Sequence, residues 1–241
     1  GTRADHLPEE SDTGRIRGAA VVLGGMYRVD RNNFYTVQKK ATIYTPKEVS
    51  EFLFDVLRSS IHQDDGVIFD PCVGNGSLLL PWKKRGYDVF GVDIEDQDFP
   101  NTKVLNYLEM TKKDVDKDVS LVVMNPPFNI DDKTKEYIKN QYGGRPLLPE
   151  VWLQKVIELL GKDIPIVMFT PYGFRLNQTE VSKRWQKFSS GEYPEITSII
   201  SLPKDVFDGV LFHSEILCFN LPKMKGHYFV QTNRSEGVLF R

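Results

Sequence analysis

Four short apolar runs, each closed by an acidic or amide residue, constrain the fold of this chain more than any other feature. The closing residues are Asp70, Asp93, Asn106 and Asn125. Short apolar runs separated by turns and amphipathic segments predict buried strands of a parallel sheet. Ligands bind beyond the carboxyl ends of strands in open parallel sheets, so these residues predict a binding site along one edge.

Later segments continue this pattern. Amphipathic stretches predict helices at 47–57, 151–160 and 178–189, and further apolar runs predict strands at 164–169, 196–202 and 215–221. Strands alternating with helices predict an α/β, Rossmann-like fold: a seven-stranded, mostly parallel sheet with helices on both faces. The tail, at 228–230 and 238–240, is expected to add an edge strand. We expect one main domain over residues 41–241, preceded by a polar arm at 1–40 that contains a hairpin at 27–37.

A glycine-containing turn follows the first strand, in the segment Asp70-Pro71-Cys72-Val73-Gly74-Asn75-Gly76. A strand, a glycine turn and a helix start make up the nucleotide-binding arrangement of open α/β sheets. Gly74 and Gly76 allow a ligand to approach the backbone closely. The spacing matches neither the dinucleotide fingerprint nor the phosphate-binding loop, so the turn alone identifies no ligand.

Asp93 closes the second strand about 20 residues after the glycine turn, the spacing of the acid that holds a ribose in nucleotide-binding folds. A solvated strand end is the alternative interpretation. The position after a glycine turn favours the ribose.

The fourth strand ends in Asn125-Pro126-Pro127-Phe128. Two prolines cannot continue a strand ladder, so the backbone turns out of the sheet there. The side-chain oxygen of Asn125 and the carbonyl of Pro126 could accept the two hydrogens of an exocyclic amine, while Phe128 stacks on its ring. A plain turn is the alternative.

Residues 129–149 are predicted to be a long loop, and loops of this length are often functional. Basic and aromatic residues alternate in it, a composition that suits a nucleic-acid backbone and an extruded base. The candidate DNA-contacting residues are Lys133, Lys135, Lys139 and Arg145, with Arg175 from a second loop at the same edge. A solvated charged loop is the alternative, because acidic residues dilute the charge.

The composition excludes several classes of protein. The net charge is −2, so a basic surface for nucleic acid has to be local. Two cysteines in apolar surroundings predict reduced thiols in a cytoplasmic protein. The scattered histidines predict no metal site, and no apolar run reaches the length of a membrane span.

Two motifs resemble those of class I S-adenosylmethionine-dependent methyltransferases, and specifically the enzymes that methylate adenine N6 in DNA. The segment from Asp70 to Gly76 resembles their cofactor motif, and Asn125-Pro126-Pro127-Phe128 resembles their catalytic motif. Tyr44-Thr45-Pro46 lies before both, an order similar to the gamma arrangement of type I modification subunits. The late segment at 202–219 also looks like theirs, so the resemblance covers about residues 40–221.

The resemblance implies S-adenosylmethionine as cofactor and residues 41–241 as the catalytic domain. It implies that Asp93 holds the ribose hydroxyls, that Asn106 holds the adenine amine, and that the backbone at Gly74 and Gly76 lies under the methionine part. Thr45 would close over the cofactor. Tyr44, Asp70, Pro71 and Ile94 complete the cofactor-binding set.

The resemblance leaves the substrate and the partners open. Similar motifs serve methylation of guanine N2 or adenine N6 in RNA and of glutamine in proteins, and an inactive cofactor-binding subunit is a further alternative. A target-recognition domain usually follows the catalytic part of such enzymes, and none is expected here, so we expect a specificity subunit or a missing domain to supply it. The expected location is the cytoplasm of a bacterial or phage-infected cell, at the nucleoid.

Overall fold

The computed structural model describes residues 44–127, 130–143, 147–207, 213–233 and 237–240, and it describes side chains through residue 230. The predicted arm at 1–40 and its hairpin lie outside the described residues. No helix within the described ranges is long and apolar enough to cross a membrane.

A single open sheet forms the centre of the fold. Its strands are β1 (Val67–Asp70), β2 (Val89–Asp93), β3 (Thr102–Val104), β4 (Val119–Met124), β5 (Ile166–Pro171), β6 (Ile196–Ser201), β7 (Ser214–Phe219), β8 (His227–Asn233) and β9 (Gly237–Phe240). Within the described part of the chain these nine strands lie in the order β3-β2-β1-β4-β5-β7-β6-β8-β9. The predicted α/β class is therefore correct, but the tail forms two strands instead of one edge strand.

Parallel pairing unites the first five strands, because β1 pairs with both β2 and β4, β2 pairs with β3, and β4 pairs with β5. β7 lies antiparallel between β5 and β6. Its amino-terminal end therefore lies at the same edge of the sheet as the carboxyl ends of β4 and β5. That edge is the one at which the sequence predicts a site.

Helices cover both faces of the sheet. They are α1 (Lys47–Leu57), α2 (Leu80–Lys84), α3 (Asp132–Tyr142), α4 (Leu148–Leu160) and α5 (Lys183–Ser189). On one face, Ile138 of α3 and Trp152 of α4 join a buried cluster with sheet residues such as Phe69 and Val122. On the other, α1 packs against α2, where the rings of Phe54 and Trp82 lie 4.8 Å apart.

The predicted loop at 129–149 is wrong, because residues 132–142 form helix α3. The Asp131 side chain accepts a hydrogen bond from the Thr134 N–H at 2.7 Å, which caps the helix start. Gly143 ends the helix with a φ of 69°. Ile138 is the one buried residue of α3. With so narrow an apolar face, the helix leaves little periodicity to detect.

The helix predicted at 178–189 begins later, at Lys183, where the Ser182 hydroxyl accepts a hydrogen bond from the Trp185 N–H. The helix predicted at 151–160 begins earlier, at Leu148, with Pro149 in its first turn. Proline is favoured there because the first helical N–H groups have no partner within the helix.

Candidate active site

The carboxyl edge of the sheet brings the predicted polar residues together. Asp70 ends β1, Asp93 ends β2 and Asn125 follows β4 directly. Because β1 lies between β2 and β4, the three residues line adjacent strand ends. Asn106 stands two residues beyond β3, on the far side of β2.

Asn125 is held with one side of its amide unused. Its Nδ2 donates to the Thr45 hydroxyl at 3.3 Å, and its backbone carbonyl lies 3.3 Å from the Cys72 thiol, which donates to it. Its Oδ1 is buried and has no hydrogen-bond partner among the described residues. Leaving a buried acceptor unpaired is costly, so this oxygen suits a ligand that brings an N–H donor.

Thr45 does not cap the helix that follows it. Helix α1 begins at Lys47 with Pro46 in the capping position, and no side chain caps it. The Thr45 hydroxyl, which is buried, contacts Asn125 instead. Thr45 therefore orients the catalytic candidate, a contact across 80 positions of sequence that local spacing does not reveal.

Asp93 is bonded to the glycine turn. Its Oδ2 accepts the Gly74 N–H at 2.9 Å, and its Oδ1 accepts the Glu95 N–H at 3.1 Å. Gly74 has a φ of 49°, a conformation that glycine adopts without strain. Each carboxylate oxygen keeps a further lone pair, so Asp93 can also accept from the hydroxyls of a ribose.

Two exposed apolar side chains flank this turn. Tyr44 is 45% exposed, and a Cβ at Gly74 would lie 3.6 Å from its ring. Ile94, directly after Asp93, is 63% exposed. At Gly76, the ring of Phe99 occupies the space that a side chain would need, so Phe99 makes the close approach assigned to a ligand.

Asn106 has a local partner. Its side-chain oxygen accepts the Leu108 N–H at 3.1 Å and caps the short turn Tyr107–Glu109. Its position next to the end of β3 is compatible with the predicted contact to an adenine amine, which stays a prediction.

Asp70 is almost fully buried, and burial raises the pKa of its carboxyl group to about 7, although the Cys72 N–H donates to Oδ1 at 2.9 Å. Burial also raises the pKa of the Cys72 thiol. Both cysteines, Cys72 and Cys218, are free thiols, as predicted. Pro71, between Asp70 and Cys72 in the glycine turn, is also buried.

Asp70 is expected to make stability fall as the pH rises from about 4 to about 7. The unfolded chain loses this proton near pH 3.8 and the folded protein near pH 7, so the folded state binds more protons in between. The loss is at most about 4 kcal/mol in the free energy of unfolding. Denaturant unfolding measures the free energy of unfolding of the natural protein and of Asp70→Asn between pH 5 and pH 8. The variant should lack the pH-dependent loss. Parallel curves for the two proteins would mean that Asp70 is ionised when folded.

The predicted nucleic-acid-contacting residues divide into two groups. Lys133, Lys135 and Lys139 are exposed on α3, and Lys135 pairs with Asp132 at 2.9 Å. Arg175, in contrast, turns into the protein, where its Nε lies 2.9 Å from Oε1 of the fully buried Glu215. Its prediction as a DNA contact is therefore not supported by its placement.

Further expectations about this region need correction. Tyr137 and Tyr142, the tyrosines of the segment 129–149, are partly buried against the core, and the Tyr137 hydroxyl donates to the Leu108 carbonyl at 3.2 Å. Their placement therefore does not support the expectation that the aromatic residues of this segment receive a base. Arg184, on α5, pairs with Glu150 at 2.8 Å, so its charge is engaged inside the protein. Phe128 and Arg145 lie outside the described residues.

Sequence reasoning missed the buried ion pair and the exposed Tyr172 at this edge. Glu215 is a lone carboxylate within the apolar strand β7, and such a residue in a buried strand predicts a cationic partner. That signal does not identify Arg175 as the partner, because the two residues are distant in the sequence. Among the described residues, no group of His, Cys, Asp and Glu side chains is arranged to hold a metal ion.

The order of the strands and the polar residues at the carboxyl edge of the sheet identify the fold as that of class I S-adenosylmethionine-dependent methyltransferases. The family model for N-6 DNA methylases matches residues 19–88 and 88–240, so the chain belongs to the N-6 DNA methylase family. It is 31% identical over 77 residues to the type II methyltransferase M.VspI of Vibrio sp. (strain 343). The aligned region covers 31% of this chain and 18% of that protein.

Solved structures share the fold at low sequence identity. The modification subunit of a putative type I restriction enzyme from Vibrio vulnificus YJ016 matches with a TM-score of 0.56 and 16% identity, over 95% of this chain and 54% of that one. A putative class I S-adenosylmethionine-dependent methyltransferase from Listeria monocytogenes matches with the same TM-score and identity, over 80% of this chain and 68% of that one. The chain thus spans about half of the type I subunit.

The residues at the edge fit S-adenosylmethionine. Asp93 offers acceptors for ribose hydroxyls, and the exposed side chains of Ile94 and Tyr44 offer apolar surfaces next to Asp93 and the glycine turn. The carboxyl group of Asp70 lies at the end of β1 in the same turn. The fit rests on these carboxyl groups and apolar side chains.

Proposed function

We propose that this chain transfers a methyl group from S-adenosylmethionine to the exocyclic N6 amine of adenine in DNA, with residues 41–241 as its catalytic domain. The observation that carries the proposal is the buried Oδ1 of Asn125, directly after β4, which has no hydrogen-bond partner in the part of the chain that the structure describes. An amine with two N–H groups needs two acceptors, and the adjacent Pro126 carbonyl supplies the second. The cytoplasm, where DNA and reduced thiols occur together, is the proposed location.

Asn125 would prepare the amine for reaction. The lone pair of an adenine amine is delocalised into the ring, which makes the nitrogen a weak nucleophile. Acceptance of its two hydrogens by Asn125 Oδ1 and the Pro126 carbonyl favours a pyramidal nitrogen with a localised lone pair. Thr45 holds the Asn125 amide in the required orientation. These contacts act through orientation and electrostatic complementarity, and they need no strong base.

S-adenosylmethionine, when bound, supplies an electrophilic methyl group on a sulfonium centre. Asp93 would hold its ribose hydroxyls, and Ile94 and Tyr44 would contact its apolar surfaces. Phe128 is proposed to stack on the target base. The base has to leave the duplex to reach Asn125, at a cost of a few kcal/mol.

Labelled cofactor tests the proposal directly. The intact natural protein is incubated with S-adenosylmethionine carrying a labelled methyl group and, separately, with DNA, RNA and protein. The expected product is N6-methyladenine in DNA, identified by mass spectrometry after nuclease digestion. Label in RNA or in protein would mean that this molecule, and not DNA, is the substrate. Cofactor binding without transfer to DNA, RNA or protein would indicate an inactive subunit.

We propose that a partner subunit or a further domain supplies sequence specificity. Three lysines on α3 provide a small local basic surface, whereas Arg175 and Arg184 are engaged in ion pairs. Phosphate contacts supply much of the non-specific affinity for DNA, so this chain alone should bind weakly. Methylation of a DNA library, read site by site, should show little sequence preference until the partner is added. Efficient methylation of one defined sequence by the chain alone would contradict this.

A further inference from the structure

Tyr172 is an exposed aromatic residue at the substrate side of the sheet edge. It follows β5 directly and is 49% exposed. β4 and β5 pair in parallel up to Met124 and Met168, so Asn125 lies one residue beyond that last pair. β5 continues to Pro171, which carries Tyr172 about three residues, or roughly 10 Å, further out than Asn125 on the neighbouring strand.

Contacts on both sides of Tyr172 fix this position. The Tyr172 N–H donates to the His213 carbonyl at 3.1 Å, and the two rings lie 6.4 Å apart. After it, the ring of Phe174 is buried, and its carbonyl accepts a hydrogen bond from Arg184 Nη1 at 2.9 Å. The backbone on both sides of the exposed ring is therefore anchored.

Two ion pairs strengthen this anchoring. Arg175 pairs with Glu215 on β7, and Arg184 pairs with Glu150 on α4. Both glutamates are buried, so removing either arginine would leave a charge in the protein interior. The turn Tyr172–Phe174 is thus tied to a strand and to a helix, while the ring of Tyr172 stays exposed.

We propose that Tyr172 stacks on the extruded adenine and forms a wall of the target-base pocket. This inference rests on the proposed function, because it assigns a contact to the base whose amine meets Asn125. An aromatic ring on an anchored backbone loses less conformational freedom when a base stacks on it than a ring on a mobile segment, so more of the stacking energy goes into binding. Arg175 and Glu215 act as positioning residues that hold the turn.

The test is a double-mutant cycle between Tyr172 and the target base. Binding of the intact natural protein is measured for two unmethylated duplexes that differ only at the position that the protein methylates. One duplex carries adenine there, and the other carries an abasic position. Tyr172→Ala should weaken binding of the adenine duplex about 10-fold, within the range observed for base stacking. It should leave binding of the abasic duplex unchanged, because no base remains to stack. Tyr172→Phe should behave like the natural protein on both.

Controls separate stacking from misfolding. Tyr172→Ala should keep the natural affinity for S-adenosylmethionine and the natural thermal unfolding temperature. Phe229→Ala removes an aromatic residue that is 60% exposed on β8, three strands away from β5 in the sheet, and should change neither duplex affinity.

The outcomes also separate this inference from the function on which it rests. Equal weakening of both duplexes by Tyr172→Ala would place the ring against the DNA backbone or a neighbouring base and overturn the inference. No weakening of either duplex would overturn it as well, while methylation of DNA by the natural protein would leave the proposed function standing. No methylation of DNA by the natural protein would overturn both.

Discussion

Replacing Asn125 with alanine is expected to lower the turnover number for methyl transfer at least about 10²–10³-fold, the cost of removing one preorganised polar contact to a reacting group. Asn125 Oδ1 is buried and unpartnered among the described residues, so it is available to the substrate amine. The cofactor-binding candidates Asp93 and Ile94 lie on a different strand end, that of β2. The affinity for S-adenosylmethionine should therefore stay close to that of the natural protein.

Single-turnover transfer of labelled methyl groups and calorimetric titration with the cofactor measure these two quantities. Asn140→Ala is the matched control, because it makes the same substitution on the exposed surface of α3 and should change neither. A loss of cofactor affinity as large as the loss of activity would show that Asn125 supports the cofactor site instead of the amine.

The strands of the sheet and the polar residues at their ends could be predicted because both follow from local pattern. An apolar run that ends in Asp70 or Asp93 identifies a buried strand and the residue at which it ends, without any knowledge of distant contacts. The parallel order of the strands then places those residues on neighbouring ends. Asn125 directly follows β4, the other neighbour of β1, so the same strand order places it beside Asp70 and Asp93.

Contacts between distant segments could not be predicted in the same way. Thr45 contacts Asn125 across the fold, and Arg175 pairs with Glu215, so the roles of both depend on tertiary structure. A basic residue in a loop looks the same in sequence whether it meets phosphate or a buried carboxylate. Helix α3 escaped prediction for a different reason, because a helix with one buried residue has almost no apolar stripe.

Replacing Asp93 with alanine is expected to weaken binding of S-adenosylmethionine by about 1.5–3 kcal/mol, the range for a hydrogen bond to a charged group. That range corresponds to roughly a 10- to 150-fold higher dissociation constant. Asp93 would contribute twice, because its carboxylate accepts ribose hydroxyls and also holds the Gly74 N–H at 2.9 Å. Loss of the second contact loosens the glycine turn under the cofactor.

Calorimetry on the natural protein and three variants separates these contributions from a general effect of lost charge. Asp88→Ala is the matched control, because Asp88 is exposed just before the first residue of the same strand, β2, at the opposite edge of the sheet. It should bind the cofactor like the natural protein. Asp93→Asn keeps an acceptor oxygen for Gly74 but loses the charge, so its affinity should lie between those of the natural protein and Asp93→Ala. An unchanged dissociation constant for Asp93→Ala would mean that Asp93 neither contacts the ribose nor orders the glycine turn for the cofactor.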